Sequence, residues 1–143
     1  MNIEDRAVTF LVALLGGACF AVVFRIPRRY FIHASLLSML AKITVEIVST
    51  RAHVAFATFI ASFLIATISH LFARSTGKPA QAFLIPGVMY LVPGTSVYKA
   101  FSAAVANDFV TMNTTIVLSI TITASISFAL LLANWIVPSR RTL

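Results

Sequence analysis

Two Pro-Gly pairs, Pro86-Gly87 and Pro93-Gly94, stand seven residues apart inside the apolar stretch from Phe83 to Lys99. That stretch cannot be an ordinary helix. Each proline lacks an N–H and presses its ring on the carbonyl one turn earlier, so Ala82 and Met89 lose helical partners. Ile85 and Val92, each preceding a proline, are steered away from helical dihedrals. Backbone polar groups are thereby released. In a lipid bilayer such groups persist only against protein or a watery cavity. Two readings follow: a helix uncoiled deep in a membrane, or a loop joining two short helices at its surface.

Composition favours the membrane. Of 143 residues, 59% are hydrophobic and 10% charged, with a mean hydropathy of +0.97. Soluble domains carry about half and about a quarter respectively. The formal charge of +7 suggests nucleic acid, but the basic residues lie between apolar runs and form no recognition stripe. Cys19 is the single cysteine, so the chain offers no internal disulfide and no cysteine-pair metal site. The first apolar run follows Glu4-Asp5-Arg6 and passes into Phe20-Ala21-Val22 without a clean cleavage site, so it reads as a retained span.

The predicted fold is an all-α membrane protein, a single transmembrane domain over residues 1–143 with spans at about 7–24, 31–48, 54–73, 80–107 and 116–137. The first span carries Ala13, Gly17 and Ala21 at four-residue spacing, a face that admits another helix closely. Thr58, Ser62, Ala66 and His70 make a comparable stripe on the third span, and Thr115, Ser119, Thr123 and Ser127 on the last. On the second span Lys42 and Glu46 share one helical face. By helical rise Lys42 lies roughly 17 Å into a core of about 30 Å. The pair is either a gate or proton carrier facing a cavity, or a structural ion pair near the far interface. His33, His53 and His70 are too scattered for a metal site.

The fourth span would reach about 42 Å as one helix, so a break at both Pro-Gly pairs brings it toward bilayer thickness. If the chain crosses once there, Arg25, Arg28, Arg29, Arg74, Lys78, Arg140 and Arg141 share one side, against Arg6 and Arg51 on the other. The richer side is then cytoplasmic, with the N-terminus outside and the C-terminus inside. A re-entrant segment would move Arg140 and Arg141 across and weaken that bias.

At the break, Thr95 or Ser96 suits an N-cap for a restarting helix whose free amides and positive dipole end would attract an anion. Broken helices with midplane sites are how many secondary transporters hold small charged substrates. The candidate substrate path is Pro86, Gly87, Tyr90, Pro93, Gly94, Thr95, Ser96, Tyr98 and Lys99. Lys99 either attracts a carboxylate or snorkels outward. Catalysis lacks support: acidic residues number 4, there is no spaced His/Cys/carboxylate cluster, and Gly77-Lys78-Pro79 fails as a phosphate-binding loop. Neither a cofactor nor a metal is expected.

Phe83-Leu84-Ile85-Pro86-Gly87 followed by Val92-Pro93-Gly94-Thr95-Ser96-Val97-Tyr98-Lys99-Ala100-Phe101 resembles the signature of the threonine/serine exporter family, and Arg25-Ile26-Pro27-Arg28-Arg29 fits it as well. Length and span order are similar to the short, YjjB-type subunit of split exporters. The resemblance implies a multi-pass protein of the bacterial inner membrane that pairs with a larger family subunit. It also implies export of threonine/serine-type amino acids or of C4 dicarboxylates, small-molecule carboxylates in either case, driven by an ion gradient. Homo-oligomers and a non-transporting scaffold role stay open, because small-residue stripes serve assembly as readily as transport.

Overall fold

The structure is a computed structural model that describes residues 3–77 and 79–137, with side chains from Val8 onward. Its elements are α1 (Ile3–Val23), a 3-10 turn (Arg28–Tyr30), α2 (Phe31–Ser49), α3 (Val54–Thr76), α4 (Gln81–Met89), α5 (Gly94–Val105) and α6 (Phe109–Ile136). The described residues form helices and connecting turns, in keeping with the all-α expectation. Three helical stretches are long and apolar enough to cross a membrane: Arg28–Ser49, Val54–Thr76 and Phe109–Ile136. Val8–Val23 is a shorter apolar helix.

Neighbouring helices pack in the row α1, α2, α3, α6, while α4 lies against α2 and α3 with a lighter contact to α1, and α5 packs on α6. Small residues make the row tight. Ala13 and Ala21 are fully buried, and a Cβ built on Gly17 would stand 2.5 Å from Ser38 Oγ and 2.9 Å from Ser35 Cα. The Ala13-Gly17-Ala21 face is thus where α1 meets α2. The α3 stripe is equally central: Thr58, Ser62, Ala66 and His70 are all buried. Most of the packing energy of such a row comes from close contact of small side chains, since lipid tails solvate apolar surface as well as protein does.

The hydroxyl stripe of α6 behaves differently from the sequence pattern. Ser119 is buried, but Thr123 and Ser127 are exposed, and the buried face runs through Ser119, Ile122, Ile126, Ala129 and Ala133. Thr115, Ser119, Thr123 and Ser127 each donate to the carbonyl four residues back, at 2.6 to 3.0 Å. A hydroxyl satisfied by its own helix needs no partner and is free to face outward. This helix also begins seven residues before the predicted boundary, because Asp108 caps it by accepting the Thr111 N–H at 3.1 Å.

Left-handed residues other than glycine close two helices. Arg25 (φ 53°) follows α1, where the Ile26 N–H returns to the Ala21 carbonyl at 2.9 Å. Asn107 (φ 57°) follows α5, where the Asp108 N–H returns to the Ala103 carbonyl at 2.9 Å. Both satisfy carbonyls that a helix end leaves open. Of the charges that oriented the predicted topology, Lys78, Arg140 and Arg141 lie outside the described residues.

Candidate functional site

The fourth segment is interrupted once, not twice. Helix α4 continues through Pro86 and Gly87 to Met89, and the ladder gives way at Tyr90–Pro93. Position explains the difference. Pro86 is the sixth residue of a helix that starts at Gln81, so its missing N–H costs only the Ala82 carbonyl in the first turn. Pro93 falls where the chain has already loosened. The Leu91 N–H reaches the Val88 carbonyl at 2.8 Å, Val92 reaches Met89 at 3.4 Å, and Gly94 turns back to Val92 at 2.8 Å. Pro93 itself takes φ −78° and ψ 49° and serves as N-cap of α5, without a side-chain cap bond. The helix therefore restarts two or three residues earlier than predicted, and Thr95 and Ser96 lie in its first turn instead of capping it.

The first Pro-Gly pair is a docking point. The Tyr90 N–H bonds the Val88 carbonyl instead of continuing the ladder to Pro86. Ser38, fully buried on α2, places its hydroxyl 3.1 Å from the Pro86 carbonyl and 3.2 Å from that of Ala34. A freed carbonyl is thus met by a neighbouring hydroxyl, as lipid requires. Beside it, Gly87 lets α4 lie flat: a Cβ there would stand 2.8 Å from Ile65 Cγ2 of α3 and 3.5 Å from Leu37 Cβ of α2. Phe83 is fully buried one turn earlier, edge-on to Tyr30 at 5.2 Å. Phe83, Pro86 and Gly87 are buried against the neighbouring helices, so this half of the segment is packed helix and not a protein-surface loop.

The structure divides the predicted site residues into two groups. The inner group lies with the row. Leu91 shares a core cluster with Ala41 of α2, Ala61 and Ile65 of α3, and Ile122 and Ile126 of α6. Tyr90 is next to Gly16 of α1, whose built Cβ would meet its ring at 3.9 Å. Glu46 and Lys42 form an ion pair at 3.9 Å, with side chains 16% and 28% exposed. The outer group is on α5: Gly94, Thr95, Tyr98 and Lys99 are exposed, and Ser96 is half-buried. Nothing lies within 4 Å of a Cβ built on Gly94. Along this helix Thr95, Lys99 and Ser102 recur at helical spacing and are all exposed. First-turn amides and a lysine one turn on are suited to a carboxylate, which favours a helix N-terminus and a cation.

An apolar cavity of about 260 Å³ between α5 and α6, lined by Val97, Phe101, Met112 and Ile120 among others, offers no such chemistry. His53 caps α3, its Nδ1 accepting the Ala55 N–H at 3.3 Å, while His70 is buried on the same helix with Nδ1 unpartnered among the described residues. No group of three His, Cys, Asp or Glu among the described residues is placed to hold a metal ion. Ser38 and Gly16 were not singled out from sequence. The available signal for Ser38 was the run Ala34, Ser35, Ser38 and Ala41, small residues spaced for one helical face.

These features define a multi-pass, all-helical membrane protein with one interrupted helix set against the bundle. The family profile described as "Threonine/Serine exporter, ThrE" matches residues 9–136, and the chain belongs to that family of membrane transporters. No solved structure matches the chain.

Proposed function

We propose that this chain is a subunit of a secondary exporter of small carboxylate-bearing metabolites, of the threonine/serine or C4-dicarboxylate kind, acting with a larger membrane subunit in the bacterial inner membrane. The α4–α5 segment crosses once, which places the N-terminus outside and the C-terminus in the cytoplasm. The observation that carries the reading is the restart at Pro93. It leaves the Thr95 and Ser96 amides in an uncapped first turn, with Lys99 one turn on, at the end of a segment whose other half is buried. A substrate carboxylate sits at that turn, and its path runs past Tyr90. Lys42 and Glu46 gate it or carry a coupling proton, because a charged pair this far into the bilayer is retained where it meets a cavity.

The test is export of radiolabelled threonine, serine and succinate by cells carrying both subunits, with Lys99→Gln and Thr95→Val compared at equal complex abundance. Loss of export with assembly intact is expected. Full export by both variants would overturn the site. A scaffold role has its own support in the outward aromatic and aliphatic face of α5, where Tyr98 is 74%, Phe101 71% and Val105 85% exposed. On that reading the same variants change export only through lower abundance of the complex.

A further inference from the structure

The two Pro-Gly pairs look alike in sequence, and the molecule treats them in opposite ways. Around Pro86-Gly87 every neighbour is close. Ser38 donates toward the Pro86 carbonyl, Gly87 admits Ile65 and Leu37 to contact distance, and the backbone of α1 closes in on Ser38 at Gly17. Four helices, α1 to α4, therefore meet within one layer of side chains. At the second pair Pro93 is buried, but past it the surroundings thin out. Gly94 is exposed with nothing near its missing side chain, and the Pro93 cap has no side-chain bond. Beyond it, α5 packs on α6, while α4 stays with α1, α2 and α3.

We infer that Pro86-Gly87 is a clamp and Pro93-Gly94 a joint, so that α5 swings as an arm while α4 stays fixed to the row, and that Ser38 is the positioning residue of the clamp. The physical basis is the number of bonds that each site must break in order to move. At the clamp, displacement of α4 strands the Pro86 carbonyl and opens a void beside Ile65, both costly in a medium without water. At the joint, the ladder is already interrupted and Pro93 has no N–H to lose, so rotation about the Val92–Gly94 backbone sacrifices little. Hinges of this kind are a few residues at element ends that absorb the change in dihedral angles. The joint stands on geometry; only its consequence for export rests on the proposed transport role.

The full-length protein in nanodiscs, with Cys19 replaced by serine, reports the motion through spin-label pairs at exposed sites. Leu71 with Met89 measures α3 against α4, and Leu71 with Val105 measures α3 against α5. The first pair is expected to give a narrow distance distribution and the second a broad or two-peaked one. Ser38→Ala should broaden the first and leave the second unchanged. Pro93→Ala combined with Gly94→Ala should narrow the second and leave the first unchanged. Equal widths for the two pairs in the otherwise unaltered protein would overturn the joint, and this reading stands even where a variant fails to accumulate. An unchanged first distribution in Ser38→Ala would overturn the clamp. Export is measured in parallel: a narrowed α5 arm with full export sinks the link to transport while leaving the joint intact.

Discussion

Ser38 on α2 and the carbonyl of Pro86 on α4 stand 3.1 Å apart, a hydroxyl on one helix answering a backbone oxygen that the other has released. The contact is completely buried, with Gly17 of α1 pressed against the same serine. Removing the hydroxyl leaves an acceptor without its donor, which costs about 1–3 kcal/mol. Ser38→Ala is therefore expected to lower the melting temperature in detergent, read by fluorescence-detected gel filtration. Melting equal to that of the parent would refute the bond.

Gly17 of α1 fixes the same layer. Any side chain there meets the Ser35 Cα at 2.9 Å, and backbone yields less easily than a side-chain tip. Gly17→Val should cost about 1–3 kcal/mol through overpacking, or prevent accumulation altogether. The exposed-site control Val22→Ala should change little.

The glycines of the two Pro-Gly pairs should respond with opposite sign. Gly87→Ala pushes a methyl to 2.8 Å from Ile65 Cγ2 and should destabilise by about 1–3 kcal/mol. Gly94→Ala meets open space at the start of a helix and should stabilise by about 0.4–1 kcal/mol, because the unfolded chain loses freedom. Thermal melts of the two variants decide it; a shift of the same sign in both would contradict the packing described.

Lys42 and Glu46 share a helix face, and an exposed pair at that spacing couples by about 0.2–0.5 kcal/mol. Here the carboxylate is mostly buried, in surroundings of low dielectric. A double-mutant cycle with Lys42→Met and Glu46→Leu should give a coupling above about 1 kcal/mol. A value in the exposed range would mean that water reaches the pair freely.

Asp108 supplies the pH dependence outside the spanning helices. Hydrogen bonds from Thr111, first through its side chain and then through its backbone, hold the carboxyl below its ordinary value. A group with a lowered folded pKa contributes its stability fully above the unfolded value, about 3.9, and loses it as pH falls through the lower, folded one. The helix start should therefore loosen on acidification below about pH 4 in the parent, while Asp108→Asn keeps the acceptor and should lose that pH response. Hydrogen exchange at the first turn of α6 provides the measurement.

Much of this architecture was legible because bilayer length and small-residue spacing are crude, strong signals. Ala13, Gly17 and Ala21 marked the α1–α2 contact, and Thr58 through His70 marked the centre of α3. What escaped was whatever depends on a neighbour. A proline's effect varies with its distance from the helix start, so Pro86 passed for a break. The α6 hydroxyls passed for a packing face, although bonds to their own backbone satisfy them. The small-residue run around Ser38 could not reveal its role, because that comes from a carbonyl that lies 48 positions further along the chain.

The place of α3 between α2 and α6 has a consequence for biogenesis. Its serines at 62 and 69 are wholly enclosed, and α6, which packs along this helix, leaves the ribosome only after α1 to α5. Until that segment inserts, the middle of the assembly is an unfinished surface facing lipid. Synthesis that stalls before Phe109 should accordingly yield a product that quality-control proteases remove, however well its first three spans have inserted.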